Sequence, residues 1–275
     1  MNKYVFHSDH LSAQQISVIQ SQFSQAAQPA DGFYTLESDE VVDLDALRQQ
    51  LACDVNRLPA HFDGKQARLV VTDMDSTLIS IECIDEIADM LGIKEQVSAI
   101  TEAAMRGELD FAESLTQRVA LLKGLPESDL QRVYDERLTL NPGAEELLAY
   151  LKDSSIKLAL VSGGFTFFTN KLKQRLGLDY TLANTLEVKE GCLTGKVEGD
   201  IIGAQAKADL LKQLSQELSL KPEQVIAMGD GANDLLMMDI AGLSVAYHAK
   251  PTVQAQTHSQ LNQSGLDAVI ALIKA

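Results

Sequence analysis

Two carboxylates one residue apart, Asp73 and Asp75, close the run Leu69-Val-Val-Thr-Asp73-Met-Asp75-Ser76-Thr77. The apolar stretch reads as a strand buried on both faces, and open α/β sheets place ligands at the carboxyl ends of such strands. Two acids there, followed at once by two hydroxyls, suit a site built round a cation and a phosphoryl group. A solvated acidic turn would look the same in isolation. Further polar groups decide between the two. Ser162-Gly163-Gly164 follows a second apolar run, and its hydroxyl and backbone N–H groups could hold phosphate oxygens. Gly229-Asp230-Gly231-Ala232-Asn233-Asp234 follows a third, as an acidic, Gly-rich turn that opens a helix. Lys207 is the cation nearest the start of a helical stretch over residues 204–218. Each alone is an ordinary turn or a surface lysine. Together they offer a nucleophile, a neighbouring acid, a third carboxylate, a hydroxyl and an ammonium group. Oxygen-only donors of this kind suit Mg²⁺, which prefers octahedral coordination and keeps some of its waters.

The elements that must carry these groups follow from periodicity. Residues 68–72, 156–161 and 225–228 are short apolar runs, each followed by small polar or acidic residues, and Leu243–Tyr247 is a fourth strand candidate. Strands alternating with helices predict a parallel sheet with right-handed crossovers. Residues 84–150 show helical spacing (Ile84, Ile87, Ala88, Leu91, then Leu115, Val119, Leu122) and no convincing strand. That insertion is too long for a crossover helix and predicts a small helical cap over the strand ends. Residues 182–199 alternate around a Gly-containing turn, which predicts a β-hairpin excursion. A short helix over Ala268–Lys274 closes the chain.

Residues 1–65 look separate from the rest. Strands are expected at 4–7 and 32–36, helices at 12–23 and 44–53, and a linker at 59–65. Such a small α/β module carries no readable chemistry. It suits a dimerisation or regulatory appendage, which leaves a homodimer open. The expected division is therefore 1–65 and 66–275, with the cap inside 84–150.

Composition bounds the partners. The chain has 275 residues, 45% hydrophobic and 23% charged, with a formal net charge of −16. Such acidity argues against nucleic acid and against an anionic membrane surface. Cys53, Cys83 and Cys192 are odd in number and widely spaced, so neither a disulfide framework nor a zinc pattern is expected. There is no signal-like apolar core near the start and no bilayer-length apolar run. A cytoplasmic, reduced protein is the expectation.

The order Asp73-x-Asp75-Ser-Thr77, Ser162-Gly163-Gly164, Lys207, Gly229-Asp230-Gly-Ala-Asn233-Asp234 resembles the four-motif signature of the haloacid dehalogenase superfamily of phosphohydrolases. Glu82 and the run from Met105 through Phe111 to Arg118 resemble the cap of its phosphoserine-hydrolysing branch. The resemblance covers residues 68–275 and implies a Rossmann-like parallel core, a helical cap and Mg²⁺-dependent hydrolysis of O-phosphoserine. It implies Asp73 as nucleophile and Asp75 as general acid and base. The metal ligands would be the Asp73 carboxylate, the Asp75 backbone carbonyl and Asp230. Lys207, Ser162, Gly163 and Asn233 would hold substrate oxygens, with Asp234 orienting Lys207. Glu82 would pair with the substrate ammonium and Arg118 with its carboxylate, while Met105 and Phe111 form an apolar lid. Read without the motifs, Glu82 and Arg118 are a surface acid and base, and Met105 and Phe111 are cap core. Two alternatives stay open: a relative acting on phosphohomoserine or phosphothreonine, or transferring the phosphoryl group to another alcohol; and a non-catalytic switch phosphorylated at Asp73.

Overall fold

The computed structural model describes residues 1–275, the side chain of Met105 excepted. The first 58 residues run β1 (Asn2–Phe6), α1 (Ala13–Gln22), β2 (Gln28–Pro29), β3 (Tyr34–Ser38), α2 (Leu44–Leu51) and β4 (Val55–Leu58). They form an antiparallel sheet in the order β2-β3-β1-β4. Alternation sends Tyr4, Phe6 and Leu36 against α1 and α2, where Ile19, Phe23, Leu47 and Leu51 complete a small core. Val5 and Leu58 point the other way and join the main hydrophobic core. The module thus buries both faces of its sheet. Within residues 59–65, expected as a linker, Ala60, His61, Asp63 and Lys65 are exposed, but Phe62 is buried in that same core.

The rest of the chain runs β5 (Leu69–Thr72), α3 (Cys83–Met90), α4 (Lys94–Met105), α5 (Phe111–Ala120), α6 (Glu127–Glu136), α7 (Ala144–Asp153), β6 (Lys157–Phe165), α8 (Thr166–Leu176), β7 (Tyr180–Lys189) and β8 (Cys192–Glu198). It continues through α9 (Ala204–Glu217), β9 (Val225–Gly229), α10 (Leu235–Asp239), β10 (Leu243–Tyr247), α11 (Pro251–Gln254), β11 (Ser259–Leu261) and α12 (Ala268–Lys274). The sheet order is β11-β10-β9-β5-β6-β7-β8, parallel except for the last pair. This is the expected α/β core with a parallel sheet and an inserted helical segment.

Continuous apolar runs form β5, β9 and β10 because both faces of the sheet are covered. Leu69 and Val71 pack with Ala208, Leu211 and Leu214 of α9 and with Met237 and Met238 of α10. Val70, on the opposite face, meets a core that includes Leu147 and Leu151 of α7, Phe168 and Leu172 of α8, and Leu272 of α12. The expected hairpin is continuous with this sheet rather than an excursion from it. Its first arm begins at Tyr180, pairs parallel with β6 and then antiparallel with β8. No helix is long and apolar enough to cross a membrane among the described residues.

Candidate active site

The sheet's central strands end side by side, so their terminal residues meet. Asp73 follows β5 directly, and its N–H donates to Met228 O of β9 at 3.0 Å, extending the ladder by one bond. The chain then leaves the sheet through one wide turn over Met74–Leu78, closed by the Ile79 N–H on Met74 O at 3.0 Å. Ser76 sits in this turn with a left-handed φ of 57°. Two bonds hold it there, from its N–H to Ile81 O at 3.2 Å and from its Oγ to Glu82 Oε1 at 2.7 Å. Thr77 is fully buried, and its hydroxyl finds no partner among the described residues. The turn sets the two motif acids on different neighbours. Asp75 Oδ1 accepts the N–H of Cys83, the first residue of α3, at 2.9 Å, a donor without a partner inside its own helix. Its Oδ2 lies 3.4 Å from Ser162 Oγ.

Lys207 is fully buried and clamped between two acids, with Nζ 2.6 Å from Asp73 Oδ1 and 2.8 Å from Asp234 Oδ1. Asp234 Oδ2 accepts the Gly231 N–H at 3.1 Å. A Cβ at Gly229 would lie 2.2 Å from that same Oδ2, so glycine there lets the carboxylate reach the lysine. Asp73, Asp230 and Asp234 each bring a carboxylate oxygen within 4.8 Å of the others. One ammonium group against three carboxylates leaves an excess of negative charge in a largely buried place. Burial, followed by Asp73, Asp234 and Glu82, pushes Asp230 up to about 7. Burial, Glu82 and Asp73 push Asp75 up to about 8, against the pull of the Cys83 thiol and N–H. For Lys207 burial alone would lower the pKa, but Asp234 and Asp73 override it and hold the ammonium above the ordinary lysine value. The donor set is all oxygen, acidic and convergent, which fits a hard divalent cation. Acids perturbed in this way, gathered at one spot, mark a functional site.

The inserted helices bring the remaining residues. A capping box starts α5: Asp110 Oδ1 accepts the Glu113 N–H at 2.8 Å and Glu113 Oε2 accepts the Asp110 N–H at 3.0 Å. That start places Phe111 against the end of β6, where a Cβ at Gly163 would meet its Cζ at 2.9 Å. Arg118, two turns on, shares its side of the helix. Arg118 is half-buried, and its Nε reaches Ser114 O at 3.4 Å. Burial pulls its pKa down while Asp85, Glu82 and Asp75 push back. Glu82 keeps solvent access, yet the protein around its carboxyl, with Asp73 and Asp85, pushes its pKa up against the Ser76 bond and Arg118.

The structure therefore gathers Asp73, Asp75, Ser162, Gly163, Lys207, Asp230 and Asp234 at adjoining strand ends, with Glu82 bound to the turn through Ser76, Phe111 against Gly163, and Arg118 on the same side of its helix as Phe111. Asn233 is half-buried in the short turn Ala232–Asp234 beside them. Met105 ends α4, and its side chain lies outside the described residues. Sequence reasoning missed Asn184, a buried amide whose Nδ2 donates to Gly163 O at 2.8 Å and Ile202 O at 3.1 Å. It ties the Ser162-Gly163 segment to the approach to α9, and a polar residue inside an alternating strand was the only sequence signal for it.

Residues 70–239 match the family described as haloacid dehalogenase-like hydrolase. A phosphoserine phosphatase of Polaromonas sp. is 54% identical over 212 residues, covering 75% of this chain and 90% of that protein. One from Vibrio cholerae is 46% identical over 245 residues, covering 89% of this chain and 73% of that protein. The crystal structure of a probable phosphoserine phosphatase from Vibrio cholerae, unliganded, superposes with a TM-score of 0.84 at 40% identity, covering 99% of this chain and 86% of that one. A substrate-bound phosphoserine phosphatase complex superposes with a TM-score of 0.70 at 41% identity, over 75% of this chain and 98% of that one.

Proposed function

Because this chain belongs to the haloacid dehalogenase-like hydrolase family, we propose that it hydrolyses O-phospho-L-serine to L-serine and phosphate. The observation that carries the reading is the pairing of two unlike acids on one turn. Asp73 is held by Lys207, while Asp75 sits in a site that raises its pKa to about 8. A carboxylate beside a carboxylic acid is what a phosphate ester of a poor leaving group needs.

In the reaction, Asp73 attacks phosphorus in line, and the bond from phosphorus to the seryl oxygen breaks. Asp75 gives its proton to that oxygen, so serine departs as the neutral alcohol and Asp73 becomes an aspartyl phosphate. Asp75, now a carboxylate, takes a proton from water as the water attacks phosphorus, which releases phosphate and restores Asp73. Approach of Asp73 to a phosphate dianion is opposed by about 4 kcal/mol per charge pair at about 4 Å and an effective dielectric of about 20. Lys207 offsets part of this, with Ser162 Oγ and the Gly163 N–H donating to phosphoryl oxygens. Asp73, the Asp75 carbonyl and Asp230 would hold Mg²⁺, which supplies further positive charge at the phosphoryl group when bound. Asp234 keeps Lys207 in place.

Glu82 takes the substrate ammonium and Arg118 its carboxylate, the latter through a bidentate fork. Phe111, with Met105, closes an apolar lid that keeps bulk water from the acyl phosphate. Asn233 binds substrate oxygens. On this reading residues 66–275 are the phosphatase unit with its cap inside 84–150, and residues 1–65 are a separate module. The protein works in the cytoplasm at the last step of serine synthesis, and a homodimer is compatible with it. Steady-state phosphate release from O-phospho-L-serine, with and without Mg²⁺, tests the proposal. Metal-dependent release is expected, faster than from phosphothreonine or phosphohomoserine. Faster release from either competitor, or transfer to an added alcohol in preference to water, would replace it.

A further inference from the structure

The turn that carries Asp75 closes across five residues, and its outer carbonyls must be satisfied from outside it. One side chain does this. Asn141 Nδ2 donates to Thr77 O at 2.8 Å and to Ile79 O at 3.1 Å, and the Asn141 N–H donates to Leu78 O at 3.0 Å. Three successive carbonyls of the segment leaving the turn are therefore held by a single residue. Asn141 lies where the chain returns from the inserted helices, just before α7. The outgoing and returning segments run antiparallel there, with a bridge between Ile79 and Leu140. The Ser80 N–H donates to Thr139 O at 3.0 Å, and the two hydroxyls of that pair lie 2.6 Å apart. Asn141 thus ties both segments of the cap's stalk to the turn of the reaction centre.

We propose that Asn141 is a positioning residue for the reaction, fixing the Met74–Leu78 turn so that the Asp75 carboxyl reaches the leaving oxygen. The inference rests on the phosphoserine reading above. Small displacements of a positioned group cost large factors in rate. Both steps that use Asp75 are slowed, but only the first, proton transfer to the departing oxygen, depends on which ester is cleaved. A seryl alkoxide needs that proton, whereas p-nitrophenolate leaves well without it.

The test compares the wild-type protein with Asn141→Ala and with the isosteric Asn141→Asp, which keeps the volume but removes both side-chain donors. Thermal unfolding first identifies the variants that fold; should the alanine variant fail, the aspartate variant carries the measurement. For O-phospho-L-serine, kcat/KM, which covers the steps up to departure of the alcohol, is expected to fall about 30-fold, while kcat/KM for p-nitrophenyl phosphate falls less than about threefold. Equal losses in kcat/KM on the two esters, or unchanged kcat/KM on both, would overturn the positioning role. A wild-type protein that cleaves p-nitrophenyl phosphate but not phosphoserine would instead overturn the substrate reading.

Discussion

Two regions of this molecule bury carboxylates, and they treat them in opposite ways. At the junction of the N-terminal module with the main sheet, Asp54 is 1% exposed, and its two oxygens accept three backbone N–H groups. These come from Asn262 at 2.9 Å, Gln263 at 3.0 Å and Ser264 at 2.8 Å. Asn56 beside it gives Nδ2 to Gln260 O at 3.0 Å and accepts the Gln260 N–H at 2.8 Å, so its amide closes the edge of β11 as a strand would. At the ends of β5 and β9 the acids are crowded on one another, and Asp75 and Asp230 are driven up to about 8 and about 7. A buried charge met by fixed donors is structure. Buried charges left in mutual repulsion lower stability, and on the proposed reading they are kept because a metal and a phosphoryl group answer them.

The contrast can be broken most severely at Asp73. Replacing it with Asn is expected to lower phosphate release by at least about 10⁴-fold, with the protein still folded by circular dichroism. Residual turnover within tenfold of wild type would remove Asp73 from the chemistry. Asp75→Asn should lower kcat on phosphoserine by about 10²–10⁴-fold. The same substitution should raise the stability of the metal-free protein at pH 8. With its folded pKa raised to about 8, Asp75 contributes stability below the ordinary carboxylate range and loses it as pH climbs through 8. Urea unfolding of both proteins at that pH would expose the error if the variant were the weaker.

The module should respond to pH in the other direction. Burial, with Arg48, pushes the His7 ring down to about 4 from its ordinary 6.5, against the pull of Asp54. Its Nε2 faces Asn56 Nδ2 at 3.1 Å and so acts as acceptor in the neutral ring. The unfolded chain then binds the extra proton first, and stability falls as pH drops from about 6.5 through about 4, by up to about 3 kcal/mol. The stability difference between wild type and His7→Gln, followed by urea unfolding across that window, isolates this contribution; a difference independent of pH would refute it. Asp54→Asn gives the smallest effect, a loss of about 2 kcal/mol in unfolding free energy with kcat within about twofold. A tenfold fall in kcat at unchanged stability would mean that the module reaches into the chemistry.

The two regions also differ in how far they could be read in advance. The cluster at the strand ends was legible because its groups lie at the ends of apolar runs and keep a fixed order: Asp73 and Asp75, then Ser162, Lys207 and Asp230. The junction was not. β4 holds Asn56 in a four-residue strand, and β11 is only three residues long, too short for alternation to register. Helix α8 also escaped notice, since Asn170, Gln174 and Arg175 are exposed, Lys171 and Lys173 half-buried, and only Phe168, Thr169 and Leu172 are buried. Asn141, Asn184 and Asp54 act on backbone groups 18 to 210 residues away, and no local pattern announces such a partner. Charge gathered for chemistry leaves motifs; polar groups that fasten one segment to another leave single letters.

The most direct test of the central claim is acid quenching of the protein during turnover of radiolabelled O-phospho-L-serine with Mg²⁺, followed by peptide mapping. The account predicts alkali-labile label on the peptide that contains Asp73, disappearing as labelled phosphate accumulates. Label on any other residue, or steady phosphate release with no labelled peptide at any quench time, would contradict it.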